Sequence, residues 1–124
     1  MKNLVFIFCL FMSICIHAQY NFTGISLTYG HKEKVEDDFI WEKTEKRIKV
    51  PIQITRDNEI IIHSEARQKY KAQSKGEPVY PNSIKWETID AEGKRCIIYL
   101  SNIKNTMYLF VNYENVGWFY ELKD

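Results

Sequence analysis

Three histidines, three cysteines and sixteen carboxylates are the side chains of this 124-residue sequence suited to proton transfer, nucleophilic attack or metal binding. Their spacing selects none of those reactions. His17 lies in a segment expected to be removed, His31 sits in an acidic stretch, and His63 falls on an expected strand. Neither of the latter two stands at a spacing that implies a Ser or Cys nucleophile, although His63 is the one residue a hydrolase or inhibitor reading would use. A carboxylate pair drawn from Glu33, Glu36, Asp37, Asp38, Glu65 or Asp90 is not singled out by position. The group His31, Glu33, Glu36, Asp37 and Asp38 has the composition of a metal site without its order. It has no Asp-Asx-Gly calcium loop and no HExxH or CxxC spacing, so it is expected to be a solvated loop. Phosphate-cradling glycine loops are absent as well. The expectation is a protein that is not an enzyme and takes no metal and no cofactor.

The start of the chain decides what becomes of the cysteines. Lys2, an apolar run from Leu4 to Ile16 and a small residue, Ala18, make residues 1–18 an expected secretory signal peptide, cleaved before Gln19. The run is too short for a bilayer-spanning helix, and no later segment is long and uncharged enough, so no transmembrane segment is expected in the mature chain. Cys15 is not read as a lipid attachment site, because Ile14 stands where lipoprotein signals carry Gly or Ala. Cys9 and Cys15 leave with the signal, and Cys96 remains alone, alternating with Ile98 and Leu100 as a small hydrophobe on a strand face. An export signal implies a periplasmic or extracellular location. Asn21-Phe22-Thr23 matches a glycosylation triplet, which matters only in a host that glycosylates exported proteins.

Residues 19–124 are then one domain, large enough to build a hydrophobic core without disulfide or metal staples. The full chain has 17 basic and 16 acidic residues, and Lys2 departs with the signal, so the mature charge is balanced. That argues against a nucleic-acid partner, whose phosphates call for an excess of Lys and Arg.

Period-two runs broken by turn residues predict an all-β domain. Lys46–Thr55 is the clearest strand, with Ile48, Val50, Ile52 and Ile54 on one face and Arg47, Lys49, Gln53 and Thr55 on the other. Pro51 predicts an edge position or a bulge there. Further strands are expected over Phe22–Tyr29, Ile60–Ser64, Ala66–Ala72, Ile84–Ile89, Lys94–Leu100, Thr106–Tyr113 and Gly117–Leu122. Gly24 predicts a bulge that switches faces after Phe22. Gly93 supplies the positive φ of a hairpin turn, and Gln73–Ser83 is expected to be the longest loop. His31–Glu45 is compatible with helix or strand, and a charged loop followed by a strand over Asp38–Thr44 is expected. Eight or nine antiparallel strands in sequence order give a small meander, closed as a barrel or folded as a sandwich.

Three strands of the C-terminal half are apolar on both faces. Ile97 and Tyr99 oppose Cys96, Ile98 and Leu100; Tyr108 and Phe110 oppose Met107, Leu109 and Val111; Phe119 opposes Trp118, Tyr120 and Leu122. Only one face can be the core, so the other must meet a second sheet, a ligand or a partner. Tyr99, Tyr108, Phe110 and Phe119 are therefore the expected recognition surface for a protein or glycan. A basic face of Arg47, Lys49, Arg67, Lys69 and Lys71 is a second candidate, suited to an anionic partner. The alternative reading places a small apolar ligand inside, against Trp41, Trp86, Met107, Tyr113 and Trp118. An exported meander of this length resembles lipocalin-like small barrels, which bind apolar molecules in their interiors. The resemblance is one of architecture: Gly24-Ile25-Ser26 stands where many lipocalins carry Gly-x-Trp, and no binding residue transfers.

Overall fold

A computed structural model describes residues 19–34 and 36–123. The expected signal peptide and its cleavage site lie outside the described residues. Among the described residues there are ten strands and no helix: β1 (Tyr20–His31), β2 (Ile40–Trp41), β3 (Lys46–Ile54), β4 (Glu59–Ile62), β5 (Gln68–Ala72), β6 (Glu77–Val79), β7 (Ser83–Asp90), β8 (Arg95–Ile103), β9 (Thr106–Asn112) and β10 (Val116–Lys123). With β2 and β6 set aside, each strand pairs antiparallel with the next in sequence, and β10 pairs back onto β1. The meander is thus a closed eight-stranded barrel with two short additional strands. Closure leaves no long unpaired edge, which is how such a sheet avoids edge-to-edge association.

The turns follow from local chemistry. Gly93 takes φ +83° in the β7–β8 hairpin, where Gly93 N donates to the Asp90 carbonyl. Lys104 and Asn105 both have positive φ between the paired residues Ile103 and Thr106, the two-residue turn whose twist suits a tight hairpin. Thr55 closes the β3–β4 turn, its hydroxyl accepting from Glu59 N at 3.1 Å.

Strand alternation sorts the side chains as its period requires. Ile52, Ile54, Ile60, Ile62, Ile84, Trp86, Ile98, Leu100, Leu109 and Val111 fill the barrel and are all within 2% of complete burial. Ile48 and Val50 pack against this core from higher up the same face of β3. The expected bulge is present: the register of β1 slips between Gly24 and Ser26 against both β3 and β10. It reverses the faces, so that Phe22 and then Leu27 point inward while Ser26, Thr28 and Gly30 point outward.

Three expectations are corrected. β3 is a central strand, between β1 and β4, so the edge position is overturned, whereas the irregular β1–β3 register between Val50 and Arg47 lies beside Pro51, which sits one residue past the end of the β3–β4 ladder. Its carbonyl still accepts from His63 N at 2.9 Å. The Gln73–Ser83 loop contains β6, which pairs with the first residues of β7. Among the described residues of 31–45, His31 ends β1 and otherwise only Ile40 and Trp41 are strand; they pair with His31 and Gly30 on the side of β1 that β3 occupies further along, so β2 and β3 are two pieces of one broken wall strand.

Candidate functional site: an aromatic outer face

The cross-strand register gathers the four expected aromatics on the outside of the barrel. Tyr99 of β8 stands opposite Phe110 of β9, Phe110 opposite Phe119 of β10, and Phe119 opposite Thr28 of β1. Tyr108 lies in the neighbouring row, opposite Ser101 and Glu121. Phe110 and Phe119 are tilted with centroids 5.1 Å apart, and Tyr108 meets Phe119 edge-on at 5.7 Å. These are the favoured offset and edge arrangements of aromatic rings.

Two members of the cluster were not anticipated there. Trp41 stacks with Phe39 at 5.1 Å and stands edge-on to Phe119 at 5.0 Å. Both are on the outer face, so Trp41 does not line the interior as the ligand reading expected. Trp41 lies directly over its cross-strand partner Gly30, where an added methyl would collide with the indole. Ser26 and Thr28 are 5% and 6% exposed although they face outward, Thr28 standing beside Phe119 and Ser26 between Glu121 and Arg47. The small residues of β1 and the large ones of β2, β9 and β10 therefore form a shallow second core, open on its outer side. The available clue was a run of small outward residues at Ser26, Thr28 and Gly30, which only a neighbouring ring can fill.

Two clefts border this platform. One, of about 700 Å³, lies between Phe39 and Tyr99 with Ile97 and Asn112 beside them, ringed by Gln73, Glu87 and Arg95. The other, of about 420 Å³, lies among Phe39, Trp41, Tyr99 and Phe110. Asn112 borders both and stands opposite Gly117, whose missing side chain leaves room for the amide beside Phe39. Its Oδ1 is enclosed and has no hydrogen-bond donor in contact. An enclosed acceptor without a donor costs about 1–3 kcal/mol.

The interior candidates separate. Trp86 is completely buried and Met107 lies in the packed core. Tyr113 and Trp118, with rings 5.7 Å apart, line an opening of about 680 Å³ at the end of the barrel carrying the β4–β5 and β7–β8 turns. Leu27, Ile48, Val50, Tyr70 and Tyr120 complete its apolar wall. A hydroxyl network ties this mouth together. Tyr70 donates to Gln68 Oε1 at 2.6 Å, and Tyr113 donates to Asp90 Oδ2 at 2.6 Å. Asp90 Oδ1 accepts from the backbone N–H groups of Glu92 and Lys94, both at 2.9 Å. The Tyr113 bond, followed by these backbone donors, holds the Asp90 carboxyl below the usual carboxylate value. Burial raises the phenols of Tyr70, Tyr113 and Tyr120, keeping them neutral donors. The indole nitrogen of Trp118 is enclosed and makes no hydrogen bond of ordinary geometry, although it lies near enough to the Tyr120 hydroxyl to affect its titration.

The basic residues are exposed but interleaved with other groups. Lys69 is bound to Glu59 at 3.1 Å, and Lys71 stands opposite the same Glu59. Arg67 precedes β5 at the mouth, whereas Arg47 and Lys49 are on β3, with β4 between the two strands. Cys96 is 4% exposed, accepts the company of the Thr88 hydroxyl at 3.0 Å, and has its thiol pKa raised by burial, as suits a packed hydrophobe. His63 is exposed on the outer surface and pairs with Gln53 at 2.9 Å. Among the described residues no three metal-ligating side chains are grouped to hold an ion. No helix among them is long and apolar enough to cross a membrane. No family model matches the chain, and neither a curated protein nor a solved structure is found to be similar to it.

Proposed function

We propose that this chain is a non-catalytic binding module, exported to the periplasm or the cell exterior, that recognises its partner through the outer aromatic face. The observation supporting this is the continuous row Tyr99–Phe110–Phe119, with Tyr108 beside it, on the outside of a barrel whose body is filled by its own side chains. A half-covered aromatic surface offers large contact area at small entropic cost, and such residues dominate the cores of recognition surfaces. The test is capture of a partner from the exported fraction by wild type and by Tyr108→Ser. The reading expects capture to be lost while the melting temperature stays nearly constant. Loss of folding in that variant would instead assign Tyr108 to the scaffold.

A second reading has its own observation, the apolar opening at the barrel mouth. A small apolar ligand seated there would contact Ile48, Val50 and Trp118, and Val50→Trp would block it without touching the outer face. Retention of the ligand by that variant would remove this reading.

A further inference from the structure

We infer that the cleft between Phe39 and Tyr99 receives a sugar ring, so that the ligand of the outer face is an uncharged oligosaccharide; this rests on the reading of that face as the binding surface. A pyranose presents an apolar face of C–H groups and a rim of hydroxyls. A site for it needs a flat apolar wall with planar polar side chains at the margin, where each hydroxyl finds both a donor and an acceptor. The cleft has both parts. Tyr99 and Ile97 supply the wall, Phe39, stacked on Trp41 and carrying Lys32 Nζ 4.7 Å over its ring, closes one side, and Asn112, Gln73, Glu87 and Arg95 stand around them.

These polar groups are placed by the sheet. Asn112 and Glu87 flank Ile97 on the neighbouring strands β9 and β7, each directly opposite it. Gln73 is held alongside Glu87 by a backbone bond of 2.8 Å from Gln73 N to the Glu87 carbonyl. Asn112 adds a specific deficit, an enclosed Oδ1 with no donor, which a hydroxyl reaching under Phe39 would satisfy.

Charge and size narrow the class. Lys32 and Arg95 are matched by Glu87 and Glu114 around the cleft, so it has no net attraction for a sulfated or phosphorylated polymer. A purely apolar peptide side chain would desolvate this polar margin without pairing it, which disfavours binding. The volume of about 700 Å³ lies within the range of roughly 300–1,000 Å³ usual for small-molecule sites. The second cleft beyond Tyr99, bordered by Trp41 and Phe110, lets a chain of sugars continue along the platform.

The experiment is a titration of the protein with cellotetraose, mannotetraose and tri-N-acetylchitotriose at millimolar concentration, followed by amide NMR shifts and tryptophan emission. At least one sugar is expected to give saturable shifts at Ile97, Tyr99 and Asn112, with a change in the emission of Trp41. Tyr99→Ala should weaken that binding about tenfold or more with a dispersed, folded spectrum. If that variant does not fold, Arg95→Ala, altering an exposed side chain at the rim, should weaken it in the same direction. No shift with any of the three sugars overturns the inference. If Tyr108→Ser then still abolishes capture of a polypeptide, the sugar assignment falls and the outer-face reading stands. Saturable shifts confined to Tyr29 and Trp118 at the mouth overturn both.

Discussion

The inner and outer faces of β8, β9 and β10 have similar apolar content and different fates. Inside, Ile98, Leu100, Leu109 and Val111 are wholly enclosed by the opposite walls of the barrel. Outside, Tyr99, Tyr108, Phe110 and Phe119 remain half-buried, covered in part by Phe39 and Trp41. The difference lies in residue type as well as position. The closed side of these strands is mainly aliphatic, with Tyr120 as its buried aromatic, whereas the open side carries the half-buried rings, which tolerate a wet edge and stack on planar ligands.

If that division is real, a truncation should cost stability inside and binding outside. Leu109→Ala should destabilise most, by about 2–5 kcal/mol, because the closed wall cannot collapse into the vacancy. Urea unfolding measures it, and a loss like that of a surface change would show the barrel interior to be loosely filled. Gly30→Ala comes next, at about 1–3 kcal/mol, since the added methyl displaces Trp41 from β1. Its spectroscopic mark is a red shift of tryptophan emission, and an unshifted spectrum would show that the shallow outer core does not depend on that contact.

Asp90→Asn probes the mouth, which belongs to neither face, and its effect should be smaller and pH-dependent. The folded-state pKa of Asp90 is depressed by the Tyr113 hydroxyl. Its carboxylate therefore contributes stability above the unfolded value of 3.8, and the contribution disappears as pH falls through the lower folded value. The stability gap between wild type and Asp90→Asn should be widest near neutrality and close well below pH 3.8. A gap independent of pH would deny the charge its role. Tyr99→Ser should change stability least, within about 0.5–1 kcal/mol, yet weaken ligand binding.

Much of this division was legible in the sequence because its signals are local. Alternation on β3 separated Ile48 to Ile54 from Arg47 to Gln53, Gly24 marked the bulge, and Gly93 marked its turn. The double-sided apolarity of β8, β9 and β10 identified the outer face before its neighbours were known. What escaped was set by contacts distant in sequence. The pairing of β10 with β1 that closes the barrel leaves no local trace. Trp41 belongs outside because its partner is Gly30, eleven residues back across an irregular charged loop, and no periodicity in 31–45 reveals that register. The strand β6 was hidden by Pro78, a residue that ordinarily marks a loop. The clefts bordered by Asn112 combine residues of several strands and were likewise out of reach.

The central claim is that the barrel is filled by its own side chains and works through its exterior. Native mass spectrometry of the protein recovered from its exported fraction, with a denatured spectrum of the same sample alongside, tests it most directly. The account predicts the same chain mass in both spectra, with no small molecule carried inside. A stoichiometric added mass that is lost on denaturation, and that persists in a Tyr99→Ser, Tyr108→Ser double variant but not in Val50→Trp, would contradict it and assign function to the mouth.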